Sequence, residues 1–131
     1  MLPLPNSANE PCLAAPASFF RALGNMHDAR VIEFQWNPTQ REMAIAVNDL
    51  YANFAGLPEY PGLQPVRLVV SGVCGIQIDV TTDKFPARIM DLEVEQPRSD
   101  SQLEIAVKFD PSGSMKICCG SVACRPIALS P

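Results

Sequence analysis

The chain has 131 residues, of which 47% are hydrophobic and 18% charged, and it carries a formal net charge of −4. A domain of this length buries roughly two thirds of the surface its unfolded chain exposes, so neither a metal nor a disulfide is required to hold it together. No run of Lys or Arg forms the basic footprint that a phosphate backbone needs, which argues against nucleic acid, and no stretch reaches the ~18 consecutive apolar residues of a membrane span.

The first sixteen positions hold Pro3, Pro5, Pro11 and Pro16 among small and polar residues, a composition that predicts an extended or disordered arm over 1–16 and a single β-rich domain over 17–131. The start lacks a basic segment followed by a continuous apolar one, so it does not read as a secretory signal, and a cytoplasmic protein is the expectation. Residues 17–25 predict one short helix. Ser18 is placed as its N-cap, Phe19, Phe20 and Leu23 on one face, and Gly24-Asn25 at a left-handed exit.

Beyond His27-Asp28 the hydrophobic period changes to two. Ile32, Phe34 and Trp36 alternate with polar or smaller neighbours, Asn37-Pro38-Thr39-Gln40 supplies turn residues, and Met43, Ile45 and Val47 answer on a second strand; together these predict a hairpin. Residues 51–64 are aperiodic, and their prolines and glycines break helix and strand alike. Val66, Leu68 and Val70 restart the alternation, Gly72 and Gly75 bracket a bend or bulge, and Ile76, Ile78 and Val80 resume it. After a loop at 81–86, Met90, Leu92 and Val94 form an inward set with Asp91, Glu93 and Glu95 on the wet side, and residues 97–100 turn the chain. Leu103, Ile105, Val107 and Phe109, the turn 110–114, and Met115, Ile117 and Cys119 then read as the clearest hairpin. Six to seven strands with no strand-helix alternation predict a mainly β fold, an antiparallel β-sandwich or partly open barrel with one short N-terminal helix.

The only histidine, His27, sits beside Asp28 at the entrance to the first strand. Adjacent residues on an extended chain face opposite ways, so the two form a base-orienter pair only if the loop is kinked, and no Gly-x-Ser-x-Gly nucleophile turn accompanies them. The preferred reading is structural, with Asp28 on nearby backbone N–H groups and the imidazole on a strand carbonyl. No catalytic residue is assigned. Asp49 falls at the same end of the first hairpin, so a ligand-binding or hydrolytic cleft formed by His27, Asp28 and Asp49 is the alternative.

Five cysteines, Cys12, Cys74, Cys118, Cys119 and Cys124, are an odd number without a C-x2-C spacing. They read as reduced, mostly buried thiols, and neither a metal site nor a cofactor is expected. The carboxylates Asp91, Glu93 and Glu95 read as a solvated sheet face rather than a hydrolase pair. Residues 51–63 gather Tyr51, Asn53, Phe54, Leu57, Glu59 and Tyr60 into a loop that cannot join a ladder. Either Tyr51, Asn53, Phe54, Glu59 and Tyr60 bind a partner, or the aromatics close one end of the sheet.

The stretch LGNMHDARVIEFQW, followed by a second strand and the exit Asp49-Leu50, resembles the opening of a loose group of small bacterial proteins that begin with -HDA-, a strand and a hairpin. It is similar in particular to some polymorphic-toxin immunity protein families, and KFDPSGSMKICCGSV resembles their C-terminal strand pair. The resemblance implies a β-rich domain without enzymology that inhibits a partner protein by surface complementarity. The expectation is therefore a non-enzymatic interaction module that meets a protein partner or a second copy of itself.

Overall fold

A computed structural model describes residues 12–81, 83, 86–96 and 102–127. The turn expected at 97–100, half of the loop at 81–86 and the first eleven residues of the arm lie outside the described residues. The described end of the arm is docked: Leu13 is buried, its N–H donates to Val122 O at 2.8 Å, and Pro16 already belongs to the helix.

The helix, α1, spans Pro16–Ala22 and lies against the fifth strand. Its start differs from the sequence expectation. Proline occupies the first turn, where no N–H is needed, and Ala15 stands at the N-cap without a side-chain hydrogen bond, so Ser18 is not the cap. Phe20 and Leu23 are buried as expected. Gly24, Asn25 and Met26 all take positive φ and form a separate tight turn, Gly24–Met26, which ends the α-helix earlier than the predicted exit.

Among the described residues eight strands follow: β1 Val31–Asn37, β2 Glu42–Val47, β3 Val66–Ser71, β4 Gly75–Asp79, β5 Arg88–Glu95, β6 Leu103–Asp110, β7 Ser114–Cys119 and β8 Ser121–Pro126. They form two antiparallel four-stranded sheets, ordered β1-β2-β3-β8 and β4-β7-β6-β5. The predicted count of six to seven is thus corrected to eight, and the strand missed is β8. The two sheets face each other over one core, built on the first sheet from Met43, Ile45, Val47, Val66, Leu68, Val70 and Val122 and on the second from Ile89, Leu92, Ile105, Val107, Phe109, Met115 and Ile117. Among the described residues no helix is long and apolar enough to cross a membrane.

One corner of the sandwich is made by strands that change sheets together. β3 pairs with β8 and β4 with β7, so β3-β4 and β7-β8 are two arms of a single ribbon folded at Gly72 and Gly120. Gly72 has a φ of +66°, and a Cβ there would stand 3.3 Å from Gly120 N; this close approach of two backbones is what the glycine permits. Arg41 ties the corner to the β1-β2 turn: its carbonyl accepts Val73 N–H at 2.9 Å, and its Nε donates to Val73 O at 3.2 Å.

On another side the sheets meet through an isolated bridge between Arg30 and Arg88, where Val31 N–H donates to Ala87 O and Ile89 N–H to Ala29 O. Beyond the bridge both strands are irregular, β1 between Val31 and Glu33 and β5 between Ile89 and Asp91. An extra residue in one strand inverts the side-chain phase of everything before it. Val31 and Ile89 therefore enter the core, while Ile32 and Met90, expected inward, are 55% and 46% exposed. Of the later positions, Phe34 meets the ring of Phe109 edge-on at 6.5 Å and Leu92 and Val94 are buried, as expected, whereas Trp36, placed in the same set as Phe34, is 43% exposed.

Candidate functional site

The chain enters β1 through His27 and Asp28, and Asp28 has a φ of 74°. This left-handed kink, which Asp tolerates better than most residues, turns the two side chains toward each other. His27 Nε2 lies 3.5 Å from Asp28 Oδ1, and Nδ1 lies 2.8 Å from Met90 O. A carbonyl only accepts, so Nδ1 carries the proton. The Met90 carbonyl belongs to the bulge of β5, and His27 supplies it a donor from outside the sheet. Asp28 N–H donates to Ile89 O at 2.8 Å, which fixes the kink from the backbone side.

The carboxylate of Asp28 faces Arg88 Nη1 at 3.5 Å rather than backbone N–H groups, and Arg88 Nη2 in turn binds Asp110. All four side chains of this chain of contacts are open to water, from 35% for Asp110 to 50% for His27. Exposed ion pairs of this type are worth ~0–1 kcal/mol each.

Asp49 is different, because its residue is only 4% exposed. Oδ1 accepts Tyr51 N–H at 3.0 Å and Gln64 N–H at 3.1 Å, and Oδ2 accepts the Tyr60 hydroxyl at 2.6 Å. Leu50 N–H donates to Gln64 O at 2.7 Å. One carboxylate thus joins both ends and one inner point of loop 51–63. Its oxygens are engaged by the loop, while His27 is engaged by Met90 and Asp28, and no hydrogen bond or ion pair joins Asp49 to His27. The hydrogen bond to Asp49, followed by desolvation and the carboxylate charge, pushes the Tyr60 phenol up to about 12. Burial, with the Cys124 thiol and Asp49 adding to it, also raises Tyr51.

The remaining loop residues sort by depth. Tyr51 is buried, Phe54 and Tyr60 are half-buried against the core, and Asn53 packs its amide onto the backbone of Gly24, where a Cβ would collide with it. Ala52–Phe54 forms one tight helical turn. What the loop turns outward is Leu57 at 47% exposure, Leu63 at 54%, and Glu59 between Pro58 and Pro61. Leu57 is among the loop residues the sequence gathers, though not among those assigned to partner contact, and Leu63 is in neither set. Their signal is that both stand beside Pro or Gly in a segment whose aromatics have the core to fill.

Two further surfaces carry polar side chains. On β5 the wet face holds Asp91, Glu93 and Glu95, and the hydrogen bond that protonated Glu93 donates to Asp91, followed by the Asp91 charge, raises Glu93 from its ordinary value. Nearby, small Ala106 and Ser114 leave an open trough of about 470 Å³ on the outer face of β4, β7 and β6, flanked by Gln77, Asp79, Lys108 and Lys116. It is a shallow feature whose charged groups are all on the solvent side. Among the described residues no group of three or more His, Cys, Asp or Glu is arranged to hold a metal ion. The five cysteines are free thiols; Cys119 and Cys124 are buried, Cys118 is half-buried, and Cys12 and Cys74 are exposed, more than the sequence suggested.

No protein-family model and no curated protein matches this chain. Among solved structures, the fold is similar to that of an uncharacterized protein from Neisseria gonorrhoeae, with a TM-score of 0.53 over 77% of this chain and 93% of that one. The two sequences are 15% identical, so the likeness is one of fold, and a fold by itself carries no activity.

Proposed function

We propose that the chain is a non-enzymatic, cytoplasmic protein-interaction module that meets its partner through loop 51–63, in the manner of an immunity-type inhibitor. The observation that supports this reading is the Asp49 knot. It fixes the loop from inside through Tyr51, Tyr60 and Gln64 and leaves Leu57, Glu59 and Leu63 facing solvent. A loop held in one shape loses little conformational entropy on docking, so its apolar tips deliver more of their burial energy as affinity. The net charge of −4 favours a partner with a basic surface. Tyr51, Asn53, Phe54 and Tyr60 then act as the scaffold of the contact, and Glu59 as its polar member.

The test is native mass spectrometry on the chain purified from its own cells, as wild type and as the Leu57→Asp, Leu63→Asp double variant. Burying two leucines is worth about 3–6 kcal/mol, a factor of at least a hundred in affinity. The wild type is expected to carry a second polypeptide at fixed stoichiometry and the double variant to lose it, with the fold unchanged by circular dichroism. A wild-type chain that travels alone, or carries a small ligand displaced by His27→Ala, overturns the proposal and favours the cleft at His27, Asp28 and Asp49.

A further inference from the structure

We propose that Cys74 and Cys118 close a reversible disulfide that staples β4 to β7 at the corner where the ribbon changes sheets. Cys74 immediately precedes β4, and its N–H donates to Cys118 O at 2.8 Å. A single bond of this kind keeps the two Cα atoms within about 6.7 Å of each other, inside the ~4.4–6.8 Å window of a disulfide. Gly75 stands directly opposite Cys118 in the register. It has no side chain to fill the space, and the Cys118 Cβ and sulfur sit 3.8 and 3.9 Å from the point a Gly75 Cβ would occupy, so the room beside the Cys118 sulfur is open.

Cys74 Sγ accepts a hydrogen bond from Gln102 Nε2 at 3.5 Å, and Gln102 directly precedes β6, on the far side of β7 from β4. Glu104 stands opposite Cys118, and Gln102, two residues before it, shares its face, so the Cys74 sulfur lies on the face that carries Cys118. Accessibility selects Cys118 over its neighbour: Cys74 is exposed and Cys118 half-buried, whereas Cys119 is fully buried. Burial, then the Cys74 and Cys118 sulfurs, push the Cys119 thiol up to about 11, which leaves little thiolate to react near neutral pH.

The oxidant is a small-molecule disulfide. The Cys74 thiolate attacks one of its sulfurs and expels the first small thiolate, leaving a mixed disulfide on Cys74. Cys118 then loses its proton to water and attacks the Cys74 sulfur, expelling the second. Two protein thiols and one small disulfide become one protein disulfide and two small thiols. A dithiol reductant reverses both steps. Closed, the bond holds the start of β4 on β7 and fixes the fold of the corner formed by Gly72 and Gly120.

The experiment uses the full chain carrying Cys12→Ser, which removes an exposed thiol distant in sequence from the corner. Native protein is incubated with glutathione disulfide, quenched, alkylated, and read by intact mass and peptide mapping. The expected product has lost two hydrogens and yields a peptide joined through Cys74 and Cys118, which dithiothreitol separates. Adding Cys118→Ser should stop the reaction at a glutathione adduct on Cys74, and adding Cys119→Ala should leave closure intact. A protein that stays reduced, that accumulates the Cys74 adduct with Cys118 present, or that links Cys74 to Cys119 overturns the proposal. The wild-type map decides between these even if a variant fails to fold.

Discussion

Replacing Asp49 with alanine removes the acceptor for three donors at once, and the loss can be worked donor by donor. A hydrogen bond to a charged group contributes about 1.5–3 kcal/mol, and a donor left dry and unpaired costs about 1–3 kcal/mol. Tyr51 is buried, so its N–H has no water to replace the carboxylate and accounts for about 2 kcal/mol. Gln64 and Tyr60 are half-buried and recover part of theirs from solvent, about 1 kcal/mol and less. Relieving a buried carboxylate of its own desolvation offsets some of this, which places Asp49→Ala at roughly 3 kcal/mol and a melting point lower by about 10 °C. Asp49→Asn keeps one carbonyl on the two backbone donors and is expected to cost about half as much. Urea unfolding of the three proteins with a common m value measures both numbers. An Asp49→Ala protein within about 0.5 kcal/mol of wild type, or an Asn variant as damaged as the Ala variant, would refute the assignment of the knot.

Four other outcomes follow from the same geometry. Ultraviolet titration should show Tyr60 ionising at about 12 in the wild type, and moving toward the ordinary tyrosine value in Asp49→Asn, because the hydrogen bond to Asp49 is the largest cause of the shift. A phenol whose pKa is raised on folding contributes stability that is complete below the unfolded value near 10 and is lost as pH rises through about 12. Alkaline unfolding of Tyr60→Phe should therefore show a shallower loss over that window than the wild type. His27→Ala removes one exposed hydrogen bond and a weak ion pair, so chemical denaturation should find a change under about 1 kcal/mol; a larger one would mean that the β5 bulge depends on it. Gly72→Ala puts a side chain into left-handed backbone 3.3 Å from Gly120 N and should destabilise by about 1–2 kcal/mol in the same assay, with Gly56→Ala, which meets nothing within 4 Å, as the neutral control.

How far the sequence carried the structure depended on what kind of information each element needed. The β1-β2 and β6-β7 hairpins were legible because their turns carry local chemistry: Asn37 Oδ1 accepts Gln40 N–H at 3.2 Å, and Phe109 N–H reaches Gly113 O at 2.9 Å across a glycine with positive φ. β8 was not, because one glycine separates it from β7 and its Ala123 and Cys124 are both buried, which erases the alternation. The bulges at Ile32 and Met90 were equally silent, since a one-residue insertion is specified by the meeting of β1 with β5 near Arg30 and Arg88, a contact made from positions far apart in the chain. The Asp49 knot was half legible. Its bond to Tyr51 N–H is an Asx turn, readable two residues on, but nothing local announces that Tyr60 and Gln64 return to the same carboxylate.

Water decides which of the two acidic residues at this end of the molecule matters to the fold. Asp28 looked the more chemical of the pair because a histidine adjoins it, yet its carboxylate, His27, Arg88 and Asp110 all stand in solvent, where charge is screened and side-chain freedom is lost for little gain. Among the described residues Asp49 has no charged partner, and it is buried, so each of its hydrogen bonds must be made by the protein or not at all. The consequence reaches the proposed contact surface. Leu57 and Leu63 are displayed by a loop whose shape rests on that one carboxylate, so Asp49→Ala should weaken partner binding although Asp49 touches no partner. The two routes are separable by temperature: well below its melting point the leucine double variant still fails to bind, whereas the Asp49 variant regains affinity to the extent that its loop reorders.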